Sequence, residues 1–274
     1  MEAKSVIFSW NKEDALDLLR SCDDDKILDV LTRYAPQGAR VLESGCGLAR
    51  YVRHLKDHGW SCVGLEYREE TIQIVRDIWP DLEIIQGDVA AAPFSEHSFD
   101  AIISLGVVEH FPEGPNVALR DMLRILRPGG VAIITVPCLN TVRAIKRRTG
   151  WAELEALPRS LAARLFKGKP KPLTRFNPTY KYAVYPPFGP FFEYRMTSNE
   201  FADEVRTAGF RILEHRPHAL MDGIYHDINP FGLLIGFHRW KFHPTKLGRW
   251  LHERLGRWDF FCCHMQLIVA TKDE

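Results

Sequence analysis

From Ala39 to Val136, short apolar runs alternate with amphipathic stretches. Ala39–Glu43, Ser61–Glu66, Leu82–Gln86, Phe99–Leu105 and Val131–Val136 have strand length. Phe99–Leu105 is almost continuously apolar, as expected of a strand buried on both faces of a parallel sheet. Leu48–His58, Glu69–Ile78 and Asn116–Leu126 carry apolar residues at helical spacing. Strands and helices in this alternation predict an α/β, doubly wound parallel sheet. Arg127-Pro128-Gly129-Gly130 reads as a helix stop followed by a turn. Upstream, Lys12–Tyr34 has helical spacing through Ala15, Leu18, Leu19, Ile27, Leu28 and Leu31, so 1–37 is expected to be an N-terminal helical segment.

The rhythm stops after Pro137. Residues 138–192 are rich in proline, basic and aromatic residues. A structureless loop of that length is rare inside a compact domain, so an inserted cap is expected. Thr197-Ser198-Asn199-Glu200 then starts a helix that runs to Ala208 and stops at Gly209. Phe210–Glu214 and Phe260–Thr271 read as strands, with a second insertion at about 217–259. The expected organisation is therefore a core at 38–137, the basic aromatic cap at 138–192, and the rest of the core at 193–274.

Charge changes this picture more than composition does. The net charge is only +1, but residues 139–192 hold eleven Lys/Arg against Glu153 and Glu155, a local net of +9. The second insertion repeats the mixture in Phe237, Arg239, Trp240, Lys241, Phe242, Arg249, Trp250, Arg254, Arg257 and Trp258. Such surfaces suit an anionic or amphipathic small molecule, peripheral contact with a membrane headgroup layer, or a nucleic acid. A solvated basic face is the plain alternative. The run Phe231–Phe237 is too short to span a bilayer. Six cysteines without a C-x-x-C pair suggest neither a zinc ribbon nor a disulfide scaffold and point to a reducing cytoplasm. His215, His218, Asp222 and His226 have spacings that suit one helix face. Pro217 and Gly223 argue against a continuous helix there, so no metal site is expected.

The densest chemistry lies at Val41-Leu42-Glu43-Ser44-Gly45-Cys46-Gly47-Leu48-Ala49-Arg50. A strand, an acid, two glycines and a helix start make a turn whose backbone a large polar ligand can approach. The dinucleotide pattern G-x-G-x-x-G requires a third glycine where Arg50 stands. The pattern of an acid followed by G-x-G-x-G fits better, with Ala49 at its last position.

Further landmarks follow in order: Glu66 at a strand end; Gln86-Gly87-Asp88; Phe99-Asp100-Ala101-Ile102-Ile103-Ser104 leading to Glu109-His110; Leu126-Arg127-Pro128-Gly129-Gly130; and Ala208-Gly209-Phe210. On these residues the chain resembles class I S-adenosylmethionine (SAM)-dependent methyltransferases, in the small-molecule, ubiquinone-biosynthesis-like branch. The resemblance covers about 38–137, 193–216 and the final strand. It implies a Rossmann-like, seven-stranded, mostly parallel sheet with the last strand antiparallel, and it implies SAM as cofactor.

The implied cofactor-binding residues are Glu43, Gly45, Cys46, Gly47, Glu66, Tyr67, Asp88, Val89, Leu105 and Gly106. Gly45 and Gly47 would lie under the methionine part, with Glu43 near its ammonium and Leu105 and Gly106 along it. Glu66, one βαβ step after Glu43, can accept hydrogen bonds from both ribose hydroxyls. Asp88 can accept from the adenine amino group, and Val89 can offer a backbone N–H and an apolar contact. At the acceptor, His110 is the candidate general base, because an imidazole titrates near neutrality, and Glu109 is second. Loop anchoring is the alternative role for His110. Two nucleic-acid signatures are missing. Ser104-Leu105-Gly106-Val107 stands where Asn/Asp-Pro-Pro-Tyr would be, and Cys138 lacks the companion Asp-Ala-Pro-Cys. The expected function is methyl transfer to a small or amphipathic acceptor, at oxygen. A nucleic-acid methyltransferase and a non-catalytic SAM-fold binding protein are the alternatives.

Overall fold

The computed structural model describes residues 10, 12–111, 113–149, 175–176, 180–185, 189–229, 232–239, 241–258 and 260–273. Its centre is a seven-stranded sheet. β1 (Arg40–Ser44), β2 (Ser61–Glu66), β3 (Glu83–Gln86), β4 (Phe99–Leu105) and β5 (Leu126–Pro137) pair in parallel in the order β3-β2-β1-β4-β5. β12 (Met265–Thr271) inserts antiparallel between β5 and the edge strand β9 (Arg211–His218). The antiparallel last strand implied by the resemblance is thus present.

Both faces of the sheet are covered, which explains the continuous apolar runs. Ile102 of β4 turns to one face, where α5 (Asn116–Ile125) and α7 (Ser198–Thr207) contribute Leu119, Met122, Phe201 and Val205. Ala101 and Ile103 turn to the other. There α1 (Lys12–Asp25), α2 (Ile27–Tyr34) and α3 (Arg50–Asp57) supply Cys22, Leu31, Tyr51 and Leu55. Beside them α4 (Glu69–Ile78) buries Ile72 and Val75 against Ala15, Leu18 and Val52. Each fully buried Leu, Ile or Phe contributes roughly 1.5–3 kcal/mol. The start of α7 is a capping box: the Thr197 hydroxyl accepts from Glu200 N, and the Glu200 carboxylate accepts from Thr197 N.

Several boundaries differ from the sequence reading. The N-terminal helical stretch is two helices, broken at Lys26, whose φ is +58°. The Pro128-Gly129-Gly130 segment does not leave the sheet. β5 begins at Leu126 directly after α5, Gly129 has φ +71°, and the ladder with β4 shifts register between Phe99 and Ala101. A Cβ at Gly130 would lie 2.9 Å from both Arg127 O and Asp100 O, so close backbone approach, rather than a loop, explains the second glycine. β9 continues to His218, and β12 begins five residues after Phe260. His215 and His218 lie on β9 and Asp222 and His226 on α8 (Leu220–Asp227), so no continuous helix joins the four, as expected, although α8 itself runs through Gly223. The helix is pressed onto the Cys262 carbonyl, where a Cβ at Gly223 would come to 1.8 Å. Tertiary packing outweighs the helix penalty of about 1 kcal/mol that glycine carries.

Part of the cap is described. α6 (Thr141–Arg148) follows β5, and β6 (Arg175–Phe176), β7 (Tyr180–Tyr185) and β8 (Gly189–Tyr194) form an antiparallel sheet. Residues 150–174, with much of the basic stretch expected there, lie outside the described residues. In the second insertion, α8 is followed by the hairpin β10 (Ile235–His238) and β11 (Lys241–Pro244) and by α9 (Lys246–Leu255). These elements close a small core of Ile224, Leu234, Ile235 and Cys262. Among the described residues, no helix is long and apolar enough to cross a membrane.

The two insertions are joined by a buried ion pair. Arg143 Nε of α6 lies 2.9 Å from the Asp227 carboxylate of α8, and Asn140 Nδ2 donates to Asp227 Oδ2 at 2.7 Å. Arg143 Nη1 also donates to Cys138 O at 2.8 Å. Removing one partner of a buried pair strands the other charge. Asp227→Ala is therefore expected to destabilise the fold by about 3–5 kcal/mol in urea unfolding, whereas Arg206→Ala, in an exposed pair with Asp203, should cost no more than about 1 kcal/mol.

Candidate functional site

The strand ends of β1, β2, β3 and β4 open on one edge of the sheet, the edge at which parallel α/β sheets bind ligands. Gly45 and Gly47 leave β1 with φ +79° and +52°. Leu65 O accepts from Gly45 N and Cys46 N, each at 2.9 Å, and Glu66 Oε2 accepts from Gly47 N at 2.9 Å. Three consecutive backbone N–H groups are thereby tied to the end of β2. A Cβ at Gly45 would meet the Val107 methyls at 2.7 and 2.9 Å. Ala49 is also left-handed, at φ +56°, so α3 begins only at Arg50, two residues later than expected. Arg50 turns away from the turn and donates to Ser21 Oγ at 2.7 Å.

The acids of the turn carry structural bonds as well. Glu43 is buried, and its Oε2 accepts from Val52 N at 3.0 Å, which anchors α3 over the turn. Cys46 is buried, and burial pushes its thiol well up, with Glu43 and Glu66 adding to the rise. It packs with Ala49, Val52 and Ile84, so its side chain faces the core and only its backbone belongs to the turn. Glu66 Oε1 accepts from Arg68 N at 3.0 Å. Each carboxylate oxygen keeps a second lone pair with which a hydroxyl can bond.

Further along the edge, Tyr67, Gln86, Gly87 and Asp88 line an open cleft of about 450 Å³. Tyr67 is exposed on it. Asp88 Oδ1 accepts from Ala90 N at 2.9 Å, an Asx-type turn. Val89 points its side chain into the main core, so only its backbone is placed to face a ligand.

On the other side of the glycine turn, Leu105 packs partly on the core and Gly106 has φ +72°. Next to Gly106 the chain turns through Val108–His110 as one 3-10 turn. A Cβ at Gly106 would lie 3.4 Å from Glu109 Oε1 and 3.7 Å from Met265 Cε. Glu109 is buried, and its Oε2 has no hydrogen-bond partner among the described residues. Burial pushes this carboxyl well above the usual carboxylate range, and the nearby Glu193 charge of β8 raises it further. His110 Nε2 lies 3.8 Å from Glu109 Oε1. The two candidate catalytic residues therefore sit together, one strand end from the glycine turn.

Three groups near this edge were not legible in the sequence. Trp10, just ahead of α1, lies over the glycine turn, with its indole 3.7–3.8 Å from where a Cβ on Gly47 would be. Glu193 reaches Glu109 from the cap, where no motif marks it. His264, at the head of β12, joins Asp222 and His226 of α8. Each of the three offers a ligand-type atom within 4.8 Å of the others. His226 Nε2 lies 3.1 Å from Asp222 Oδ1, whereas His215 of the expected grouping contacts Gln266 instead, at 3.1 Å. Arg143 Nη2 lies 2.6 Å from His264 Nδ1. Burial holds His264 down to about 4, with Arg143 adding to the drop and Asp222 opposing it. A neutral imidazole that accepts from a guanidinium at Nδ1 carries its proton on Nε2 and has no lone pair left for a cation.

With this geometry in place, the likenesses to known proteins have a location. Residues 42–134 match a methyltransferase domain family. A demethylmenaquinone methyltransferase of Renibacterium salmoninarum is 34% identical over 101 residues, 36% of this chain and 42% of that protein. A tRNA (carboxymethyluridine(34)-5-O)-methyltransferase of Xenopus tropicalis is 34% identical over 107 residues, 38% of this chain and 16% of that protein. The match thus spans less than half the length of either relative. A SAM-dependent methyltransferase structure from Methanosarcina mazei superposes with TM-score 0.58 at 16% identity, covering 89% of this chain and 97% of that one. The chain carries a methyltransferase domain of the class I, SAM-dependent family.

Glu109 supplies a pH test of the site. Its pKa is raised in the folded protein, so between the ordinary carboxylate value and the raised one the native state binds more protons than the unfolded state. Stability then falls as pH rises through that window. Glu109→Gln keeps the shape without the charge. Its melting temperature should exceed that of the wild type at neutral pH, with the gap closing as pH is lowered toward 4 in a calorimetric series.

Proposed function

We propose that this protein transfers the methyl group of SAM to a small, amphipathic acceptor, at oxygen. The observation that carries the reading is the Gly45–Gly47 turn, clamped by Leu65 and Glu66 inside the segment that matches the methyltransferase family. The residues fit the cofactor. Gly45 and Gly47 present backbone without Cβ, Glu66 offers two carboxylate oxygens toward ribose hydroxyls, and the Tyr67–Asp88 cleft offers an aromatic ring and polar side chains to a purine. The backbone at Leu105 and Gly106 would flank the methionine part. SAM supplies a methyl already activated on a sulfonium. Alignment is the main demand left to the protein, and it is worth about 7–11 kcal/mol of barrier.

His110 is assigned as the base that takes the acceptor's proton, and Glu109, whose carboxyl burial pushes well above the usual carboxylate range, orients the imidazole. The naphthoquinone-type acceptor in the name of the Renibacterium relative favours an amphipathic ring compound. The tRNA relative and the basic cap favour a second reading, an RNA acceptor. A cysteine nucleophile does not support that reading. Cys138 is fully buried, its thiol bonded to Cys263 and pushed far up by that bond and by burial.

The test is formation of S-adenosylhomocysteine from SAM with two acceptors, a prenylated naphthohydroquinone and unmodified tRNA. Turnover with the hydroquinone is expected. Turnover with tRNA alone would replace the proposal by the second reading, and none with any acceptor class would leave a binding protein. His110→Ala should lower hydroquinone turnover about 10²-fold or more while S-adenosylhomocysteine affinity stays within about twofold. An unchanged rate removes His110 as the base.

A further inference from the structure

The second insertion has a surface that the methyl-transfer reading does not use. α9 is anchored on its inner side: Gly248 lies against Leu234 O, where a Cβ would come to 2.2 Å, and Leu251 and Leu255 pack on the small core with Ile224 and Ile235. Its outer side should be polar in a water-facing helix. Instead Leu247 and Trp250, three residues apart on one stripe, are 55% and 50% exposed. Leu233 just ahead of the neighbouring hairpin, Phe237 within it and Trp258 just past the helix are exposed, at 66%, 42% and 61%. Half of the ten exposed large apolar side chains among the described residues therefore fall between 233 and 258.

Cations are interleaved with them. Residues 232–258 carry six Lys/Arg against the single acid Glu253. Arg239, Lys246, Arg249, Arg254 and Arg257 are exposed. Arg254 lies over the Trp250 ring at 5.7 Å, and Arg249 Nη1 donates to Pro244 O at 2.9 Å, so both guanidinium groups are held at the same surface as the apolar residues.

We infer that the outer face of α9 and the β10–β11 hairpin docks on an anionic lipid bilayer. Each part of the surface has a place there. Leu247, Leu233 and Phe237 enter the acyl boundary. Trp250 and Trp258 sit at headgroup depth, and the arginines and lysines reach up to lipid phosphates along their apolar stems. Lipid headgroups complement the charge excess. RNA would satisfy the cations but has no use for exposed leucines, which offer no ring for a base to stack on. The inference stands on surface chemistry alone and does not depend on the methyl-transfer reading.

The test is co-sedimentation of the whole protein, without SAM or acceptor. The vesicles are phosphatidylcholine, alone or with roughly a third phosphatidylglycerol, a fraction that gives a strongly negative surface. Binding is expected only with the anionic lipid and should fall at least tenfold, by order of magnitude, from low to high salt. Arg249→Gln and Arg254→Gln should each weaken partition about fivefold. Trp250→Ser with Leu247→Ser should abolish it with an unchanged melting temperature. As a measurement that needs no destabilising change, brominated lipids should quench wild-type tryptophan fluorescence, and less so in Trp250→Phe. Absence of binding at low salt overturns the inference. So does binding that ignores the Trp250/Leu247 change, and so does a tRNA mobility shift that these substitutions abolish while vesicle binding is lacking.

Discussion

The chain leaving β1 must turn sharply while its backbone stays in contact with β2, and this one constraint organises the functional edge. Leu65 O and Glu66 Oε2 take the N–H groups of Gly45, Cys46 and Gly47 in succession. Positive φ at Gly45 and Gly47 is then unavoidable, and Val107 fills the space where a Cβ on Gly45 would go. The parallel register of β1 with β2, the start of α3 and the approach of the post-β4 segment all follow from this clamp. Glu43 secures the arrangement from below by holding Val52 N.

Chemistry is placed next to the clamp. Gly106 brings the main chain of the β4 end within reach of Glu109, whose carboxyl burial pushes well above the usual carboxylate range. His110 shares the same turn. A buried carboxyl beside an imidazole would suit proton transfer in a reaction whose cofactor already carries the activated group. The second insertion adds the Asp222–His226–His264 cluster beside Arg143. There Arg143 fixes the His264 tautomer and ties the cap to α8 through Asp227.

The core was legible because its signals are local and mutually consistent. Apolar runs at β4 and β5, the Thr197–Glu200 capping box and the glycine turn each state their structure within a few residues. Elsewhere tertiary contact outweighs local preference. Gly223 reads as a helix breaker, but the helix needs it in order to lie on Cys262. Gly130 reads as a turn but serves a close crossing with Asp100. Val89 adjoins the cleft and Cys46 lies within the glycine turn in sequence, yet their side chains pack in the cores. Trp10, Glu193 and His264 reach the site from elements remote in sequence, and no motif could announce them.

On the proposed function, the Gly45–Gly47 turn and Glu66 hold SAM. Isothermal titration with S-adenosylhomocysteine, on the wild type and on Gly45→Val and Glu66→Gln, tests it most directly. Saturable one-site binding is predicted for the wild type. Gly45→Val, strained at positive φ and clashing with Val107, should lose it. Glu66→Gln should weaken it by about 10–100-fold, the cost of about 1.5–3 kcal/mol for a hydrogen bond to a charged group. Equal affinity in all three proteins, or saturable binding of NADH in place of S-adenosylhomocysteine, would contradict the account.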